Sequence, residues 1–268
     1  MKRLFHIKPN VPSTIEGKKL ALRIGDKHCC FTITDITGKE LFELTYYSSD
    51  QIDESSLINL FVNHSELNGL FKEVLIGYDF LQAVLIPGSN FRSEETKEIL
   101  KCMYGISDYS EVHEQSIKDQ HLFITYAVPK EINDWLNRKF PTAKYFHNYQ
   151  VGTQNLKAGN DFWIDFRTDD FSLIATKENK LLIAQTFSYS KPDDVLYYLL
   201  KTAQQFSLSQ KEVKLFLSGL IEKESALFKE LYQYFLNIEF RNVDWQIEDN
   251  EYPAHFFTSL NDLMQCES

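Results

Sequence analysis

The stretch Asp161–Ser188 (DFWIDFRTDDFSLIATKENKLLIAQTFS) reads as three antiparallel strands separated by polar turns, with an amphipathic helix to follow. An earlier triplet, from Leu20 to Tyr47, has the same plan: LALRIG, HCCFTIT and LFELTYY, with turns at Asp26-Lys27 and Thr37-Gly38-Lys39. With Leu20 laid on Phe162, Leu22 falls on Ile164, Gly25 on Arg167, Phe31 on Leu173 and, after one gap, Thr45-Tyr46 on Thr186-Phe187. Each triplet leads to a helix and then to an apolar strand, at Val74–Ile76 and Val213–Leu217. The chain thus carries a β-β-β-α-β unit twice, and the fold class it predicts is α/β with mixed sheets.

Composition bounds the rest. The 268 residues suffice for one large domain or two modest ones, and 43% hydrophobic with 14% aromatic content excludes wholesale disorder. Phe and Tyr are numerous while Gly and Pro are few, which argues against a fold built on glycine-rich phosphate loops. A formal net charge of -10 leaves no general basic surface, so nucleic acid is not an expected partner. Cys29 and Cys30 adjoin on a predicted strand and point to opposite faces, while Cys102 and Cys266 are isolated. All four are read as reduced thiols. The N-terminus does not read as a signal peptide, and no run of ~18 apolar residues occurs, so no membrane insertion is expected and the compartment predicted is the cytoplasm.

The remaining segments follow from periodicity and turn chemistry. Helices are expected at Ser55–Leu67, from Ser93, at Lys130–Lys139 after Pro129, at Asp193–Phe206, at Glu222–Phe235 and at Tyr252–Met264. Further strands are expected at Leu4–Ile7, Lys72–Tyr78, Ala83–Ile86, Ser110–Ile117, His121–Val128, Thr142–His147 and Ile238–Arg241. The polar, glycine-containing Gln150–Asn160 is the expected connector, dividing the chain into 1–150 and 151–268.

The duplicated plan resembles the actin-like ATPase superfamily, whose halves are each ribonuclease-H-like, and within it the branch serving type IV pilus and type II secretion assembly. More narrowly, the whole chain resembles an uncharacterised domain-of-unknown-function family of Bacteroidetes with that fold. The resemblance implies two halves, the first (1–150) with additional elements between about Phe80 and Tyr149, the second (151–268) ending in a helix. It also implies where a nucleotide would bind. Active members have a DxG hairpin between the first two strands of each half: the carboxylate helps hold magnesium, and glycine lets the backbone approach phosphate. Here the first hairpin reads Arg23-Ile24-Gly25 and the second Asp165-Phe166-Arg167. One lacks the acid and the other lacks the glycine. Ser218-Gly219, after an apolar strand, partly matches the family's nucleotide-base loop, with the N-terminus of the Glu222 helix expected nearby.

The candidate site residues are therefore Arg23, Gly25, Asp165, Arg167 and Gly219, belonging to a degenerate nucleotide cleft. Arg23 and Arg167 are able in principle to bind phosphate in place of metal. The plainer reading pairs them with local acids such as Asp26 or Asp169, and Asp165, Asp169 and Asp170 are read as turn residues rather than a magnesium site. The seven histidines show no HxxxH or HExxH spacing and there are no paired Cys ligands, so no metal site is expected, and GxSxG, GxGxxG and GxxxxGKS/T are all absent. Most aromatic residues are assigned to the core. In the tail, Phe256-Phe257, Leu260, Leu263 and Met264 form an apolar stripe that either closes the second domain or docks another chain. The expected function is that of a non-catalytic scaffold or assembly component with an unknown protein partner and no cofactor. The alternative is a genuine Mg-ATP-binding ATPase or phosphotransferase with atypical phosphate loops.

Overall fold

Strand alternation and strand pairing build two sheets of the same plan. In the computed structural model, which describes residues 1–9, 17–154, 156, 159–243, 245 and 252–266, the earlier triplet forms β2 (Lys18–Ile24), β3 (His28–Asp35) and β4 (Leu41–Ser48). The edge strand β1 (Lys2–Ile7) joins β4, while β5 (Phe71–Tyr78) and β9 (Lys144–His147) continue the sheet on the other side, in the order β1-β4-β3-β2-β5-β9. The later triplet forms β10 (Asp161–Phe166), β11 (Asp170–Lys177) and β12 (Lys180–Ser188), which join β13 (Lys214–Gly219) and β14 (Asn237–Phe240) in the order β12-β11-β10-β13-β14. In both sheets the triplet is antiparallel and the following strands are parallel. Leu22 stands opposite Phe31 in one and Ile164 opposite Leu173 in the other, the register that the alignment of the two triplets implies.

Compactness divides the chain into a unit of Met1–Val151, Trp245–Asn250 and Asp262–Ser268, and a unit of Gly152–Asp244 and Glu251–Asn261. Of the connector expected at Gln150–Asn160, residues 150–153 fall in a short helix, α4 (Asn148–Thr153), and residues 155, 157 and 158 lie outside the described residues, as do 10–16 of the N-terminal lead-in. In the first unit β5 does not pass directly to its parallel neighbour. Between them come β6 (Ala83–Pro87), α2 (Thr96–Tyr104), β7 (Ser110–Ile117), β8 (Leu122–Pro129) and α3 (Lys130–Lys139), the three strands forming their own antiparallel sheet. In the second unit β13 reaches β14 through one helix.

The cores follow the pattern. Strands β2 and β3 are buried on both faces, which places Cys29 and Cys30 in covered positions on opposite sides of one strand. The four cysteines are free thiols, and Cys102 is the exposed one. In the second unit Phe162, Ile164 and Phe166 pack with Leu173, Leu215 and Leu217 against α5 (Pro192–Gln205). Helix α5 is capped at Lys191: the Asp194 carboxylate accepts from the backbone N–H groups of Ser190 and Lys191 and from the Ser190 hydroxyl. The tail resolves into a 3-10 turn at Ala254–Phe257 and α7 (Thr258–Met264). Its stripe is buried within this chain. Phe256 and Phe257 are covered, His255 Nε2 lies 2.6 Å from the Ile221 carbonyl in the second unit, and Leu263 and Met264 join Ala21, Leu75 and Phe146 in the first. No helix among the described residues is long and apolar enough to cross a membrane.

Besides the tail, three helices are shorter than periodicity implies, and the one expected from Ser93 opens with the 3-10 turn Ser93–Glu95 before α2. Helix α1 (Glu54–Asn63) stops at His64, and Ser65–Asn68 continues as a 3-10 turn. The Glu222–Phe235 segment becomes helical only as α6 (Ala226–Tyr234), because Ser225 caps it by accepting from the Phe228 N–H at 3.2 Å. Ser225→Ala is expected to cost about 1 kcal/mol in urea unfolding. A helix that truly began at Glu222 would leave that substitution near neutral.

Candidate functional site

In the first unit the parallel register of β2 on β5 sets Arg23 beside Gly77 and Ile24 beside Tyr78, so the next residue, Asp79, arrives at the hairpin. The Asp79 backbone N–H donates to the Ile24 carbonyl at 2.8 Å, which holds its carboxylate under the turn. Arg23 Nε then donates to Asp79 Oδ2 at 2.5 Å, and His28 Nε2 lies 2.7 Å from the same oxygen. All three side chains are buried, and the His28 ring is stacked on Tyr46. Gly25 lies directly beneath His28. A Cβ at that position would run into His28 Cε1 and come within 2.9 Å of Nδ1 and 3.1 Å of the Asp79 Cβ. The glycine retained from the hairpin motif is thus covered by a histidine side chain of its own turn.

In the second unit Asp165 on β10 is in register with Ser172 and with Ser218 on β13. Its Oδ1 accepts from the Ser218 hydroxyl at 3.1 Å and from the Ser259 hydroxyl at 2.5 Å. Arg167 is 3% exposed, too little for an uncompensated guanidinium. It donates from Nε to Asp170, its Nη1 is 3.6 Å from Asp165 Oδ2, and its carbonyl accepts from the Tyr189 hydroxyl at 3.0 Å. Burial, with the Asp170 and Asp169 charges adding, pushes the Tyr189 phenol up to about 12. Gly219 closes β13 with φ of +78°, and a Cβ there would collide with the Phe166 carbonyl oxygen and approach its nitrogen to 2.7 Å. The demand for glycine here arises from the backbone of the neighbouring strand. The expected helix N-terminus beside Gly219 is displaced to Ala226, beyond the 3.1 Å turn hydrogen bond from the Ser225 N–H to the Glu222 carbonyl.

The five residues singled out by sequence thus fall into two groups, Arg23 and Gly25 in the first unit, and Asp165, Arg167 and Gly219 in the second. Each group is an internally bonded polar cluster. A metal or phosphate would have to displace protein donors from Asp165, or the His28 ring from above Gly25. Sequence reasoning missed Asp79 and His28. The signal for His28 was available, since it opens the strand after the hairpin; Asp79 stands far along the chain and carries no local mark.

A third cluster was also missed. Residues i, i+2 and i+4 of a strand share a face, which aligns Glu43, Thr45 and Tyr47 on β4. Antiparallel pairing sets His6 of β1 opposite Thr45, and His64, at the end of α1, completes the group. His64 Nδ1 is 3.0 Å from Glu43 Oε1, its Nε2 is 2.9 Å from the Tyr47 hydroxyl, and His6 Nδ1 is 2.9 Å from the Thr45 hydroxyl. Burial, only partly offset by the Glu43 charge, lowers the His6 pKa.

Solved structures share this architecture. A Bacteroides thetaiotaomicron VPI-5482 protein with actin-like ATPase fold and unknown function is similar at TM-score 0.78 and 19% identity, over 95% of this chain and 98% of that one. The PilM-PilN type IV pilus biogenesis complex is similar at TM-score 0.54 and 11% identity, over 92% and 97%. The ethanolamine utilization protein EutJ from Carboxydothermus hydrogenoformans is similar at TM-score 0.51 and 8% identity, over 96% and 92%. The class is therefore that of the actin-like ATPase fold, as the duplicated strand plan led us to expect. Residues 8–238 match the family described as "Protein of unknown function (DUF3822)", and the chain belongs to that family. No curated protein matches the chain in sequence.

Proposed function

We propose that this protein is a non-catalytic, cytoplasmic member of the bacterial actin-like fold, a scaffold or assembly component that works through protein contacts. Its two units are read as the two actin-like halves left by an internal duplication. One observation carries the proposal: in each hairpin a buried arginine stands where the ATPase motif needs an acid or a glycine, and it is ion-paired inside its own unit. Preorganised ion pairs of this kind resist replacement by magnesium and phosphate, because removing one partner strands a buried charge. The surface is compatible with protein contacts. Tyr232, Tyr234 and Leu236 are exposed around the end of α6, and a groove of about 540 Å³ runs beside α1 and α3 with Ile58, Val62 and Trp135 among its lining residues and Arg138 and Lys139 also on it.

Thermal unfolding in millimolar Mg-ATP tests this reading. A nucleotide site with a Kd of ~10 µM would contribute about 2.7 kcal/mol at a hundredfold excess, a shift of several degrees. The expected result is no shift beyond that given by magnesium alone. Saturable stabilisation that disappears in Asp165→Ala would instead identify a working nucleotide site and overturn the proposal.

A further inference from the structure

We propose that His6, Glu43 and His64 form a binding site for a divalent cation of the zinc class. One ligand atom from each of the three lies within 4.8 Å of the others, the one such His/Cys/Asp/Glu group among the described residues. The spacing suits zinc. Bonds of about 2.0–2.1 Å in a tetrahedral arrangement separate neighbouring ligand atoms by about 3.3 Å. The structure has Glu43 Oε1 at 3.0 Å from His64 Nδ1 and 3.9 Å from His6 Nδ1, which bracket that value. The two imidazole nitrogens stand within 4.8 Å of each other, and drawing His6 in towards Glu43 and His64 would seat the ion.

The buried carboxylate is the second, independent observation. The Glu43 side chain is 2% exposed and its Oε2 accepts no hydrogen bond among the described residues; the ammonium of Lys8, 3.6 Å away, is its charge partner there. Lys8 is half exposed and bonded to Glu66 as well, so it is able to swing off Glu43 when a cation arrives. The surroundings orient the ligands. The Tyr47 hydroxyl fixes the far nitrogen of His64, as an outer partner of a metal-bound imidazole does, and its oxygen can accept a hydrogen bond from Nε2–H once Nδ1 holds metal. The His6 side chain is 32% exposed, which leaves a route from solvent and a position for a water ligand. Two imidazoles and one carboxylate favour zinc over magnesium or calcium, which prefer oxygen donors alone.

Calorimetric titration of the chelator-treated full chain with zinc, and separately with magnesium, tests the assignment. One equivalent of zinc is expected to bind and magnesium not to. His6→Ala lies on an exposed edge strand and is expected to fold and to weaken zinc binding at least tenfold. Glu43→Gln, which keeps the side-chain shape, is expected to do the same. Zinc affinity within twofold of wild type in both variants, as binding through exposed Cys102 would produce, overturns the site. So does the absence of stoichiometric binding in the wild type.

Discussion

Asp79→Ala is expected to lower the unfolding free energy by about 3–5 kcal/mol, because it removes the carboxylate from a buried ion pair with Arg23. Arg23 and Asp79 have side-chain exposures of 7% and 1% and approach to 2.5 Å, so water is poorly placed to take over from the carboxylate. His28 loses its acceptor in the same substitution. The measurement is urea unfolding at neutral pH, read as a fall in midpoint with little change in slope. Asp193→Ala provides the comparison: that aspartate is 67% exposed and 3.6 Å from Lys191, and such surface pairs contribute from nothing to about 1 kcal/mol. Similar losses for the two variants would show that the Arg23 cluster is not buried in solution. The double substitution Arg23→Met with Asp79→Leu should recover much of the loss, since both charges of the pair are then removed together.

Gly219→Ala is expected to cost about 3–4 kcal/mol, the sum of a left-handed backbone penalty near 1 kcal/mol and a forced displacement of packed strands. The new methyl would collide with the Phe166 carbonyl oxygen and approach the Phe166 carbonyl carbon to 2.9 Å. These are backbone atoms of a central strand, hydrogen-bonded on both sides, so they cannot rotate away as a side chain would. Gly105 separates the two contributions. It follows α2 with φ of +63°, and a methyl added there would meet nothing within 4 Å, so Gly105→Ala should cost only about 1 kcal/mol. Equal losses at the two positions would mean that the close approach at Phe166 contributes nothing.

Much of the architecture was legible because its signals are local. Apolar strand segments bounded by polar turns marked both triplets, Pro129 marked the start of α3, and Gly88 with Pro87 marked the end of β6. Helix starts were read less well where a cap competed with hydrophobic spacing. Leu227, Leu231 and Phe235 are buried as periodicity implies, yet a polar turn precedes Ser225 and the helix waits for its cap. The tail posed two alternatives, closing the second domain or docking another chain. The structure divides its apolar stripe otherwise, with Phe256 and Phe257 covered in the second unit and Leu263 and Met264 in the core of the first. The loss of DxG from both hairpins was legible residue by residue. What took its place was not.

The amino-acid sequence alone determined two strand triplets of one plan, a helix and an apolar strand after each, and the residues Arg23, Gly25, Asp165, Arg167 and Gly219 at the points where that plan would meet phosphate. Only the tertiary structure decided what those residues do. Asp79 reaches Arg23 because β5 lies parallel to β2, and Ser259 reaches Asp165 because the chain returns ninety-four positions later. His6, Glu43 and His64 converge by pairing between β1 and β4 and by the end of α1. Alternation along a strand is set by local backbone geometry, whereas the partner of a buried charge is set by which distant strand lies alongside it.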